Sequence, residues 1–214
     1  MTITRISADR FGSMLFAAAT VICTQVAVAD TDLFNSLAGT SIGNNPVDSS
    51  TGSGPLYASF STTSQFNLTG IDLVLASLYN SPGTFSVGIY SDSSTTPGAL
   101  LQNLGTFNDS SLNPTPSVFT VGLTTPYTLD SNSRYWLGLS SANSSSAWSI
   151  TSDTTGVGVA AESYANSALG VQANSTGPYQ MRVFGTAVPE PSTWSLIAVG
   201  AVVLGFAARR QARG

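Results

Sequence analysis

The sequence predicts an all-β body, an antiparallel β-sandwich of jelly-roll-like type with about eight strands, flanked by an N-terminal signal helix and a C-terminal transmembrane helix. Three observations lead there. Apolar residues alternate with small or polar ones over Phe85-Ser86-Val87-Gly88-Ile89, Tyr135-Trp136-Leu137-Gly138-Leu139 and Tyr179-Gln180-Met181-Arg182-Val183, the period-two signature of half-buried strands. Turn-forming clusters interrupt the chain at short intervals, as expected where short strands are joined by tight connections. The long apolar runs lie only at the two ends.

The elements follow in chain order. Arg5 and Arg10 give a weakly basic start, Phe11 to Val26 is mostly apolar, and Ala27-Val28-Ala29 is a small-x-small site before Asp30. This is the grammar of a secretory signal peptide over residues 1–29, cut by signal peptidase after Ala29. Thr20, Thr24 and Gln25 break the run, which argues against a permanent N-terminal anchor. The single cysteine, Cys23, follows Ile22 where a lipoprotein signal requires a small residue, so it is expected to leave with the signal peptide. The body then covers residues 30–188, one domain by length. With no cysteine it is no disulfide scaffold and stands on its core alone.

Within the body, further strands are expected at Tyr57 to Thr62, Phe66 to Leu75, Leu100 to Phe107, Val118 to Leu123 and Trp148 to Thr151. Ser81-Pro82-Gly83, Thr95-Thr96-Pro97-Gly98, Asn113-Pro114-Thr115-Pro116 and Asp130-Ser131-Asn132 separate them. In Tyr135 to Leu139 the odd-numbered residues are expected to face the core. The stretch Val157 to Leu169 is compatible with a turn of helix or a long loop.

The tail is the most informative segment. Pro189-Glu190-Pro191 cannot continue a helix, because each ring fixes φ and removes a donor. The apolar run Trp194 to Ala208 holds 15 residues, roughly 22 Å as a helix against a hydrocarbon core of about 30 Å. By length alone it suits an ordinary buried helix. Arg209, Arg210 and Arg213 follow with no acid among them, which would hold the C-terminus on the cytoplasmic side. Val188-Pro189-Glu190-Pro191, the apolar run and the arginine-rich end closely resemble the PEP-CTERM sorting signal of bacterial envelope proteins. The resemblance covers residues 189–214. It implies recognition by exosortase, a membrane-embedded cysteine transpeptidase that cuts near the motif and releases or re-attaches the body.

A second resemblance lies in the body. Val87-Gly88-Ile89-Tyr90-Ser91-Asp92, then Thr96-Pro97-Gly98-Ala99-Leu100-Leu101, with Tyr135 to Leu139 further on, is similar to choice-of-anchor domains of type R. That likeness spans roughly Leu56 to Phe184, implies a β-sandwich, and carries no catalytic residues with it.

Composition narrows the chemistry. The chain has no histidine and no lysine, so the Ser-His-Asp and Cys-His designs, histidine-ligated metals and an imidazole base near neutral pH are all excluded. The body carries nine carboxylates and two arginines, the wrong sign for nucleic acid. No glycine-rich phosphate loop leads from a strand into a helix. Two readings of the body as a site remain. Exposed aromatics stack on sugar rings, and Tyr90, Tyr135, Trp136, Trp148 and Tyr164 are the aromatics to weigh. Trp136 is the most suggestive and Trp148, in a polar stretch, the one expected to be exposed, although sandwich aromatics are more often core. Asp92, Asp109, Asp130 and Asp153 occupy turns where oxygens converge on calcium, but without EF-hand spacing, and solvated turn residues are the ordinary explanation. Four Asn-x-Ser/Thr sites, at Asn67, Asn108, Asn143 and Asn174, arise readily in so Ser/Thr-rich a chain.

The expectation is therefore a non-enzymatic exported surface or extracellular-matrix protein, without cofactor or metal. Its partners are signal peptidase, exosortase, the inner membrane before processing and, through the family resemblance, an exopolysaccharide or biofilm layer. The alternatives are a carbohydrate-binding module using Trp136 or Trp148 and, further off, a carboxylate-based glycan-active enzyme.

Overall fold

A computed structural model of the protein describes residues 29–51, 53–78, 82–189, 197–205 and 209. The body is a sandwich of two six-stranded antiparallel sheets. In chain order the strands are β1 (Thr31–Asn35), β2 (Ser41–Pro46), β3 (Leu56–Ser61), β4 (Phe66–Ser77), β5 (Thr84–Ser93), β6 (Thr96–Asn108), β7 (Ser117–Leu129), β8 (Arg134–Ser140), β9 (Ser146–Thr151), β10 (Ser163–Asn166), β11 (Gly170–Ala173) and β12 (Met181–Ala187). All eight expected strands are present. The first sheet runs β1-β12-β4-β9-β2, with β7 on the other edge of β4; the second runs β11-β10-β3-β8-β5-β6.

The core lies between the sheets and is built by alternation. β5 contributes Phe85, Val87 and Ile89, β8 contributes Tyr135, Leu137 and Leu139, and β12 contributes Met181 and Val183. β4 supplies Phe66 and Leu68, then Ile71, Leu73 and Leu75, a change from even to odd positions. The change is made by a register shift against β12, where Phe184 pairs with Gly70 and the next residue, Gly185, with Leu68, leaving Thr69 as the extra residue of β4. A bulge adds one residue and so restores the inward face. Gly70 is needed there because a Cβ would meet the Phe184 ring at 2.5 Å.

Three differences from the sequence expectation have physical causes. β1, β2, β10 and β11 are additional strands of four to six residues. They lie at or beside sheet edges, where pairing depends on backbone bonds more than on an apolar pattern. Of the two readings of Val157 to Leu169, the turn of helix is present, of 3-10 type at Val159–Ala161, and what the sequence did not announce is the strand that follows it, β10. The hairpin to β11 is closed by Asn166, whose Oδ1 accepts the Ala168 and Leu169 amides, with Gly170 at φ 65°. Finally, β8 is buried on both faces from Tyr135 to Leu139. On its outer side Tyr57 and Tyr90 meet edge to face at 5.2 Å, directly over Gly138, where a Cβ would lie 2.5 and 2.7 Å from their rings.

Candidate functional site

The end of β12 is where fold and sorting segment meet. β12 lies inside the first sheet, paired on one side with β1 and on the other with β4. Its last pairs are Gly185 with Leu68, Thr186 with Asn67 and Ala187 with Phe66. One bond beyond, the Val188 amide donates to the Gln65 carbonyl at 2.9 Å. Pro189 follows at once, exposed and outside the strand.

The other end of the body leaves at the same corner. Thr31 pairs with Gly185 and Asp32 with Phe184. Thr69 Oγ1 lies 3.1 Å from the Asp30 carboxylate and 3.4 Å from the Phe184 carbonyl, linking the first residues of the body to the last strand. Ala29 and Asp30 are exposed, while Ala27 and the rest of the expected signal peptide lie outside the described residues. On the outer face nearby, Arg182 donates to Asp32 at 2.7 Å, approaches Asp72 at 3.5 Å, and lies 4.4 Å over the Phe184 ring. The hydrogen bond to Asp32, with both carboxylates nearby, raises its already high pKa.

Most of the body's carboxylates are taken up by the fold. Asp109 is fully buried and accepts from Ser144 Oγ at 2.6 Å and the Ser145 amide at 2.7 Å. Glu162, also buried, accepts from Ser59 and Ser61 and pairs with Arg134 at 3.1 Å. Asp72 accepts from Thr120. Asp153 accepts the Thr155 amide and hydroxyl, and Asp48 those of Ser50. In both turns these bonds hold the carboxyl below its ordinary pKa. Among the described residues no group of three or more His, Cys, Asp or Glu side chains converges as a metal site.

The two indoles of the body are not a sugar platform. Trp136 and Trp148 are both 0% exposed, which corrects the expectation for each. Trp136 lies between Tyr90 and Ser59 of the neighbouring strands, with Nε1 donating to Asp92 at 2.8 Å. Trp148 is core, stacked on Tyr179 at 4.6 Å and donating to the Gln180 carbonyl at 2.9 Å. Asn174 is also buried, its amide nitrogen bonded to the Val159 carbonyl, so that Asn-x-Thr site is not presented to a glycosylating enzyme. The aromatic that sequence reasoning missed is Tyr57. It is half-buried and lines an open pocket of about 270 Å³ with Pro55, Pro97, Asn166, Ser167 and Val171. Its neighbours in that pocket come from segments distant in the chain, and nothing in the local pattern around Tyr57 announces them.

Residues 187–211 match the PEP-CTERM protein-sorting motif. The chain carries a PEP-CTERM sorting signal. That signal marks an exported protein of the cell envelope or extracellular space, with exosortase as its processing partner. No curated protein matches the chain. The match begins at Ala187, inside β12, so the PEP-CTERM segment and the sandwich share residues. Of the expected sorting residues, Pro189 is exposed and Arg209 is helical and exposed; Glu190, Pro191, Arg210 and Arg213 lie outside the described residues. Residues 197–205 are helical. Among the described residues no helix is long and apolar enough to cross a membrane, and the expected span from Trp194 to Ala208 extends beyond them at both ends.

Proposed function

We propose that this protein is a non-enzymatic surface or matrix component of the bacterial envelope, whose chemistry is a reaction performed on it. A signal peptide over residues 1–29 exports it, and residues 194–208 hold the precursor in the inner membrane with the three arginines on the cytoplasmic side. Exosortase processing then hands the body, residues 30–188, to an exopolysaccharide or biofilm layer. The observation that carries the reading is the sorting motif set directly on the end of a central strand. Structural partners for Asp72, Asp109 and Glu162 support a passive body. The test is removal of residues 189–214, with the protein tracked through membrane, matrix and medium fractions. The expected result is loss of processing and of matrix retention, with no reducing ends released from cell-derived polysaccharide by the folded body. Unchanged location, or release of reducing ends, would defeat the reading.

A second reading, glycan binding by the body itself, is favoured by the pocket at Tyr57. Its lining has no charged side chain, and a half-buried ring offers an apolar face, a combination suited to stacking on a neutral sugar. On this reading Tyr57→Ala lowers retention on neutral cell polysaccharide by tenfold or more while the variant remains folded. Equal retention removes it.

A further inference from the structure

The sorting signal and the fold overlap at Ala187 and Val188. Ala187 is paired with Phe66 inside the first sheet, and Val188 is fastened to Gln65. An enzyme that cuts a peptide bond grips several residues of extended backbone through their N–H and C=O groups. From Arg182 to Gly185 β12 is held between β1 and β4; Thr186 and Ala187 are paired with β4, and the Val188 amide is bonded as well. Releasing that stretch means breaking a central strand of the sandwich, including the buried Met181 and Val183. Pro189, by contrast, is exposed and outside the strand. The Val188–Pro189 bond is itself a poor candidate, because its nitrogen belongs to a ring and carries no hydrogen for the enzyme to hold.

We propose that the folded sandwich sets the upstream limit of processing: the bond broken lies on the C-terminal side of Pro189, and the mature body keeps β12 and Val188 intact. This rests on the reading of the tail as an exosortase substrate. In the reaction the carbonyl–nitrogen bond breaks and the tail leaves as a free amine that takes up the proton. The acyl carbon of the body ends on the oxygen of water or on an amine acceptor, each of which supplies that proton. Five residues separate Val188 from Trp194, a reach of at most about 20 Å, so the enzyme works in a narrow gap between the membrane and this corner of the body. The start of the mature chain lies at the same corner, since Thr31 pairs with Gly185. Both processing events therefore happen at one pole, and the opposite end of the sandwich is left facing away from the membrane.

The experiment is a six-residue Gly-Ser insertion between Val188 and Pro189 of the full chain, expressed with its exosortase, and intact-mass measurement of the body from native and inserted chains. The expected result is that both are processed and that the two products differ by the mass of the insert. A product of unchanged mass would place the cut upstream of the insertion and overturn the proposal. Loss of processing in the inserted chain alone would overturn it too, since the enzyme would then be reading β12 and the motif as one unit. If even the native chain keeps its tail, the failure belongs to the exosortase reading itself. The mass also separates the acceptors, as water leaves a free carboxyl and an amine acceptor leaves its own added mass.

Discussion

The sandwich and the sorting tail carry information in opposite ways. In the body, meaning depends on three-dimensional neighbours. Trp136 is informative only once Asp92 and its cross-strand neighbour Tyr90 are placed beside it, and Asp109 only once Ser144 and Ser145 reach it. In the tail, meaning is linear: a motif, an apolar run and a basic end in fixed order. A protein read by another enzyme carries its instruction as linear sequence, while its own folded part has only to be stable and to end in the right place. Substitutions in the body should therefore change stability and spare sorting, and changes in the tail should do the reverse.

The largest stability effect is expected at Trp148. Trp148→Ala removes a fully buried ring stacked on Tyr179 and should cost about 3–5 kcal/mol, read by denaturant unfolding of the isolated body. Molecules that still fold should be processed as before. Impaired processing of folded molecules would break the separation between body and tail. Asp109→Ala should cost less, about 1–3 kcal/mol, because it leaves the buried Ser145 amide and Ser144 hydroxyl without their acceptor.

A smaller and more specific effect concerns alkaline pH. Burial pushes the Tyr179 phenol above its ordinary pKa, opposed in part by the bonds from Asn45 and Asn166. A raised folded-state pKa means that the stability is fully present below the ordinary phenol value of about 10 and is lost as pH rises past it, because the unfolded chain ionises first. The unfolding midpoint should hold steady to about pH 10 and then fall. Tyr179→Phe, weaker at neutral pH for want of the Asn45 bond, should fall less steeply. Equal slopes for the two proteins would show that other groups set the alkaline limit.

Much of the fold was legible because period two is a physical consequence of the strand. Phe85, Val87 and Ile89 alternate in the sequence and face the core in the structure. The parity change from Leu68 to Ile71 was present in the sequence but reads as one strand until the bulge is seen. The outer face of β8 was not legible. Alternation marks one face as apolar but is silent on whether the other meets water or other side chains, and Trp136 meets side chains from β5. β2, with Gly43, Asn44, Asn45 and Pro46, has no apolar rhythm to read, since its place is set by backbone pairing with β9. The polar setting of Trp148 misled for a related reason. Ser146 and Ser149 are themselves buried, the latter bonded to Asn44, so hydroxyl-rich sequence here is interior as well as surface. The sorting motif over residues 187–211 was readable as sequence because it works as one.

The most direct test of the account exchanges the two regions. Residues 187–214 are fused to an unrelated exported β-sandwich, and the native body is given an unrelated C-terminal membrane helix. Both chains are expressed with exosortase and followed by intact mass and cell fractionation. The unrelated carrier is expected to be trimmed and to leave the inner membrane, while the native body with the foreign helix stays uncut and anchored. Trimming of the native body without its tail, with the carrier left intact, would contradict it.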